Sequence, residues 1–177
     1  MDKPVFKFLF VSFAVVFFAA CTTSLPAEDD EDSSSSVERG SSSSDAELSS
    51  ADAKSIYEAV EESGLYTTRD SVAAYLCKFD KLPANYVGKD EGIALYESET
   101  GKTFEKWNFN PWTTIGVMIG GDAFGNNEGL LPEGSYHEAD VDYSAKNRGT
   151  KRLVYQSDCV IYYTADHYET FTRLKIK

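Results

Sequence analysis

Residues 150–176 read TKRLVYQSDCVIYYTADHYETFTRLKI, and this stretch decides the fold. Three short runs rich in β-branched and aromatic residues, Thr150–Gln156, Val160–Thr164 and Phe171–Ile176, follow one another with only polar turns between them, which is the pattern of consecutive strands. Two more candidates, Val117–Phe124 and Ser135–Tyr143, lie just upstream and are separated by segments rich in Gly, Asn and Pro. Before them the period changes. Ser50 is placed to cap a helix over 51–63, with Ile56, Ala59 and Val60 on one face and Gly64 as the stop. Thr68 reads as the N-cap of a second helix, with Asp70 in its first turn and Val72, Tyr75, Leu76 and Phe79 spaced for one buried face, ending before Leu82-Pro83. A short third helix is expected over Lys89–Tyr96, and 97–116, with Gly101, Pro111 and Gly116, reads as loop. Helices first and strands afterwards predict an α+β fold: N-terminal helices packed on a C-terminal antiparallel β-sheet.

The N-terminus has a different character. Lys3 and Lys7 precede an apolar run from Phe8 to Ala20, the charged-then-apolar pattern of a secretory signal over 1–20. At about 1.5 Å rise per residue, this run spans only about 20 Å, short for a membrane crossing. Phe18-Ala19-Ala20-Cys21 resembles the lipobox of bacterial lipoproteins, which implies cleavage before Cys21, a lipid on that cysteine and attachment to a membrane. Cleavage after Ala20 without lipidation would instead release a secreted or extracellular protein. Residues 21–50 carry Glu28, Asp29, Asp30, Glu31 and Asp32 and serine runs at 33–36 and 41–44, so they read as an extended, disordered linker with almost nothing to bury. The folded domain is expected over 51–177.

Composition sets the outer bounds. The chain has 177 residues and a formal net charge of −12, much of it in the linker. A hydrophobic content of 42% and an aromatic content of 14% exclude a wholly disordered chain. Two histidines and three cysteines exclude a His/Cys metal array, and the acidity excludes a uniformly basic nucleic-acid coat. A local basic cluster remains compatible with a nuclease. Cys77 and Cys159 are left as an even pair in an exported domain, either disulfide-bonded or two separate buried thiols.

Strand alternation places Tyr136, Glu138 and Asp140 on one face and His137, Ala139 and Val141 on the other. Side-by-side carboxylates need cations, and a hairpin to Thr150–Gln156 would bring Arg148 and Arg152 beside them. Such a cluster is either a structural ion-pair network or a grip for a phosphate through forked hydrogen bonds. His167, in a loop between two strands, adds a group that can move a proton near neutral pH. A carboxylate, a histidine and two arginines suffice for phosphodiester cleavage. The segment Ile119–Gly129 adds a Gly-Asn-Asn stretch able to take positive φ and expose backbone N–H groups, with Glu128 beside it. Donors plus one carboxylate match a guanine edge; a plain tight turn is the alternative.

Taken together these segments resemble the small bacterial guanyl-preferring ribonucleases of the barnase type. The stretches that carry the resemblance are Ser71–Leu76, Lys81–Tyr86, Ile119–Asp122, Glu138-Ala139-Asp140, Arg148 with Arg152, and Asp166–Phe171, in order from about Leu65 to Lys175. The resemblance implies an enzyme, an endoribonuclease cleaving single-stranded RNA 3′ to guanosine through a 2′,3′-cyclic phosphate, without metal or cofactor. It implies Glu138 as general base, His167 as general acid, Arg148 and Arg152 as phosphate-binding groups and Lys89 as a stabiliser of the transition state. Tyr168 would line the phosphate site, Asn126, Asn127 and Glu128 would recognise guanine, and Asp140 would support the arginines. RNA and a barstar-like inhibitor protein are the implied partners of a monomer. A catalytically inactive, tethered RNA- or nucleotide-binding lipoprotein is the alternative. Gly125, Asn127 and Leu130 depart from the family's familiar residues, and 96–118 is longer than in its best-known members. In that stretch Trp107, Phe109 and Trp112 read as core or as an added substrate surface.

Overall fold

The computed structural model describes residues 49–177. The signal-like segment 1–20, the proposed lipidation site Cys21 and the linker up to residue 48 lie outside the described residues.

Among the described residues, four helices precede or flank a six-stranded sheet. Helix α1, Ser50–Ala59, is capped by Ser49, whose hydroxyl accepts from Asp52 N. It starts one residue before the expected linker boundary and stops short of 63, because Val60 is already extended at ψ 134°. Its inward residues are Ala53, Ile56 and Tyr57, with Val60 just beyond it. Ala59, expected on that face, is exposed. Helix α2, Arg69–Phe79, follows Thr68 as expected, and Val72 to Cys77 are buried. Thr68 does not cap with its side chain; instead Asp142 Oδ1 accepts from Arg69 N at 3.1 Å, tying the helix start to the sheet. Helix α3, Lys89–Thr100, runs four residues past its expected end. The supposed loop 97–116 also holds α4, Pro111–Ile115, capped by Asn110 Oδ1 on Thr113 N.

The strands are β1 (Tyr86–Val87), β2 (Met118–Phe124), β3 (Tyr136–Asp140), β4 (Arg152–Gln156), β5 (Val160–Thr164) and β6 (Thr172–Arg173), ordered as in the chain. All pairs from β2 to β6 are antiparallel, while β1 pairs parallel with β2, so the expected wholly antiparallel sheet gains a parallel edge. β3 ends at Asp140 rather than at Tyr143, since Asp142 takes φ 49° and its N–H bonds Thr67 O. β6 is shorter than Phe171–Ile176 because its flanks leave the ladder: Phe171 joins a small aromatic cluster and Ile176 enters the main core.

The period-two alternation sorts the sheet into two faces. Val141, Leu153, Ile161 and Tyr163 pack with α2 into the main core. Tyr136 and Val154 pack with Phe124, Tyr162, Tyr168 and Phe171 in a second cluster on the other face. Glu138, Asp140, Arg152 and Thr164 share the parity of this second face and point away from α2. Between Gly120 and Ala123 the register slips by one residue against β3. Gly121, at φ 96°, takes up the bulge, and a Cβ on Gly120 would stand 2.9 Å from Ala139 Cα, so this close approach requires glycine.

Candidate active site

Glu138 sits in the middle of β3 with β4 at its side, and is 5% exposed. Lys89, the first residue of α3, donates from Nζ to Oε1, and the Tyr168 hydroxyl donates to Oε2. Burial pushes the Glu138 carboxyl up. The hydrogen bonds from Lys89 and Tyr168, with the charges of Lys89 and Arg148, more than offset it and hold the group below its ordinary value. The Tyr168 hydroxyl moves the opposite way, pushed up by burial and by the carboxylate it bonds. Lys89 is itself placed by β2: its backbone N–H donates to Asp122 Oδ2 at 3.1 Å, so a side chain beside the bulge caps the helix that delivers the lysine.

Asp140 is the hub next to Glu138. Arg148 addresses it through one edge as a fork, Nε donating to Oδ2 and Nη2 to Oδ1, and Tyr143 donates its hydroxyl to Oδ2 at 2.6 Å. Arg152, directly across the ladder, brings Nε within 2.6 Å of Oδ1. That N–H is not aimed at the oxygen, so the contact is a charge pair rather than a hydrogen bond. Carbonyls of Lys151 and Gly149 accept from the remaining Arg152 nitrogens at 2.7 and 3.1 Å. Arg152 is 2% exposed, so its charge is fixed in the wall of the site. Burial acts to lower the Arg148 pKa, but its bonds to Asp140 reverse that and the net shift is upward.

His167 lies on the turn after β5. It and Tyr168 both take left-handed backbone, φ 59° and 78°, which is unfavourable for residues bearing a Cβ. Asp166 holds the turn. It accepts from Thr170 N and Thr164 Oγ1 at 2.9 and 2.8 Å and also from the Thr170 hydroxyl, while Thr164 Oγ1 accepts from Tyr168 N. The Thr170 bonds bring the Asp166 carboxyl down to about 2. The exposed His167 ring lies 4.7 Å from the Tyr168 ring, so one tyrosine touches both the histidine and Glu138.

The 125–131 loop is closed by Asn126. Its Nδ2 donates to Leu131 O at 2.7 Å and its Oδ1 accepts from Leu131 N at 3.1 Å. Asn126 therefore shapes the loop rather than offering its side chain. The positive φ expected in Gly-Asn-Asn is found instead at Gly129, φ 65°, because that clamp lets Gly125–Asn127 stay in ordinary backbone. The exposed Asn127 and Glu128 side chains and the N–H groups of residues 126–128 bond nothing among the described residues. Phe124, at the loop's root, packs 5.1 Å from Tyr168.

The fold thus brings Lys89, Glu138, Asp140, Arg148, Arg152, Tyr168 and His167 into one connected cluster, with Asn126, Asn127 and Glu128 on a loop that leads from it through Phe124. Asp122, Phe124, Tyr143 and Asp166 were not singled out in the sequence, although Asp122 follows the Gly-Gly pair and Asp166 precedes His167 directly. Cys77 and Cys159 form a disulfide with a Cα–Cα distance of 4.3 Å, joining α2 to the β4–β5 turn. Among the described residues no group of three His, Cys, Asp or Glu is arranged around a common metal position. A cavity of about 440 Å³ between α1, α2 and the C-terminal segment is lined by none of the expected site residues.

Comparison with known proteins is consistent along most of this domain. A family profile described as ribonuclease matches residues 69–175. A ribonuclease of Bacillus intermedius is 44% identical over 111 residues, which cover 61% of this chain and 65% of that protein. The chain thus spans about two thirds of that relative's length. A ribonuclease of Heyndrickxia coagulans is 43% identical over 61% of this chain and 96% of its own length. Guanyl-specific ribonuclease St of Saccharopolyspora erythraea is 46% identical over 42% of this chain and 72% of its own.

Proposed function

Because this chain belongs to the ribonuclease family, we propose that it is an endoribonuclease that cuts single-stranded RNA 3′ to guanosine without a metal ion. The observation that carries the proposal is the state of Glu138: a buried carboxylate kept ionised by Lys89 and Tyr168 with the charge of Arg148, and one tyrosine away from a histidine.

In this reading Glu138 takes the proton of the ribose 2′-OH as O2′ bonds to phosphorus. The P–O5′ bond breaks and His167, protonated, gives its proton to the leaving oxygen. Arg148, Arg152 and Lys89 are fixed before substrate arrives, so the charge growing on phosphorus meets oriented cations. The 2′,3′-cyclic phosphate is then hydrolysed with the acid and base exchanging roles. DNA lacks the nucleophile and is not cut. The unbonded N–H groups of 126–128 face O6 of guanine, and the Glu128 carboxylate takes N1 and N2. The name of the Saccharopolyspora relative supports that base preference.

The signal-like segment and Cys21 support export with a lipid anchor, and the Cys77–Cys159 bond suits an oxidising compartment. The test is cleavage of short RNAs holding one G, A, C or U, in chelator, by the chain and by Glu138→Ala and His167→Ala. Cutting after G to a cyclic phosphate, with both variants reduced at least about a hundredfold, is expected. Binding without turnover would instead establish the inactive binding protein.

A further inference from the structure

The segment longer than in familiar ribonucleases meets the catalytic cluster at one point. Trp107 is half-buried, and the Arg148 guanidinium carbon stands 5.3 Å from the centre of its ring. On its apolar side the indole packs against Phe104 and Phe109, at 4.8 and 5.6 Å between ring centres. Its edge rests on α3 at Gly92, where a Cβ would come within 3.1 Å of Cη2. A tryptophan there solely to fill the core would have no need of a cation over its face.

We propose that Trp107 is a positioning residue for Arg148: with Asp140 it fixes the guanidinium so that its uncommitted Nη1 side addresses the scissile phosphate. Three constraints meet on this side chain. Nε and Nη2 are engaged by Asp140 and the flat face lies over the indole. Nη1 has no acceptor among the described residues. A guanidinium held along its Nε–Nη2 edge and over one face is restrained from swinging, and Nη1 is the nitrogen left for an oxyanion. The same indole touches α3, the helix that starts with Lys89, so one ring sets the spacing between the two cations. The extra chain length is thereby given a use: it carries an aromatic face to an arginine that Asp140 alone would leave free to tilt.

The proposal rests on the ribonuclease reading and is tested separately from it. In the full chain with Trp112→Phe, so that Trp107 is the sole tryptophan, mono-, di- and trifluorinated tryptophans are incorporated; fluorine withdraws the ring's negative face while leaving its shape. Trp107→Phe and Trp107→Leu are made alongside, and kcat and KM are measured on a short RNA with one guanosine. The expected result is a stepwise fall in kcat with each fluorine, about tenfold across the series, with KM within about twofold. Phe is expected to keep most of the rate and Leu to lose about tenfold. A kcat indifferent to fluorination, or a Leu variant as fast as the Phe variant, overturns the proposal while leaving the ribonuclease intact. No cleavage by the unsubstituted chain overturns the ribonuclease reading and this one with it.

Discussion

The Tyr168 hydroxyl donates to Glu138 Oε2. This bond stabilises the ionised carboxylate, so its removal raises the Glu138 pKa. Tyr168→Phe should therefore shift the acid limb of the kcat/KM profile to higher pH and lower the plateau about tenfold, the scale of one hydrogen bond to a charged group. A pH series on a guanosine-containing dinucleotide measures both; an unmoved acid limb would show that Glu138 does not set it.

Asp140 is 1% exposed and answers Arg148 and Arg152 together. Asp140→Asn takes away the carboxylate that the two inward-facing guanidiniums share, which should destabilise the fold by about 3–5 kcal/mol. Urea unfolding should show this as a lower midpoint with an unchanged slope.

The Asp166 carboxyl titrates at about 2 in the folded chain against an ordinary 3.8. Its folded pKa is depressed, so the stability it contributes is complete above the ordinary value and disappears as pH falls from about 4 towards 2. Asp166→Asn should flatten the acid dependence of unfolding in that window. Because the same carboxylate holds the left-handed His167–Tyr168 turn, it should also lower kcat at neutral pH, about tenfold if one hydrogen bond's worth of placement is lost.

Cys77 and Cys159 close a loop of 82 residues. Loop entropy on that scale corresponds to about 4–5 kcal/mol. Cys77→Ser with Cys159→Ser, or a reductant, should lower the melting temperature clearly while leaving kcat at 25 °C within about twofold, because neither cysteine touches the site. Thermal unfolding with and without reductant checks this.

The elements that could be read from the sequence are those whose signals are local. Helix α2 follows from Thr68, Asp70 and one apolar stripe, and Val160–Thr164 follows from a β-branched run between turn residues. Period-two alternation along β3 and a hairpin to β4 are enough to put Glu138 and Asp140 on one face with Arg152 opposite Asp140. What was missed depends on distant partners. The two-residue strand Tyr86–Val87 exists only because β2 runs beside it. Asp122 matters through a backbone N–H 33 residues away. Helix α4 did carry a local signal, Asn110 before Pro111, which the glycines on either side masked. The meeting of Trp107 with Arg148 depends on how the longer segment folds back, and no spacing in the chain encodes it.

The Cys77–Cys159 bond also partitions the proposed catalytic groups. Lys89, Glu138, Arg148 and Arg152 lie within the covalent ring it closes, while His167 and Tyr168 lie on the tail beyond it. A protease that cuts any one peptide bond inside the ring, such as in the exposed stretch around Lys102 and Lys106, does not sever the molecule. Both sets of groups stay on one particle and the noncovalent contacts between them remain intramolecular. At the extracytoplasmic location proposed above, where proteases are met and reductant is scarce, a nick of this kind would be a scar rather than a death.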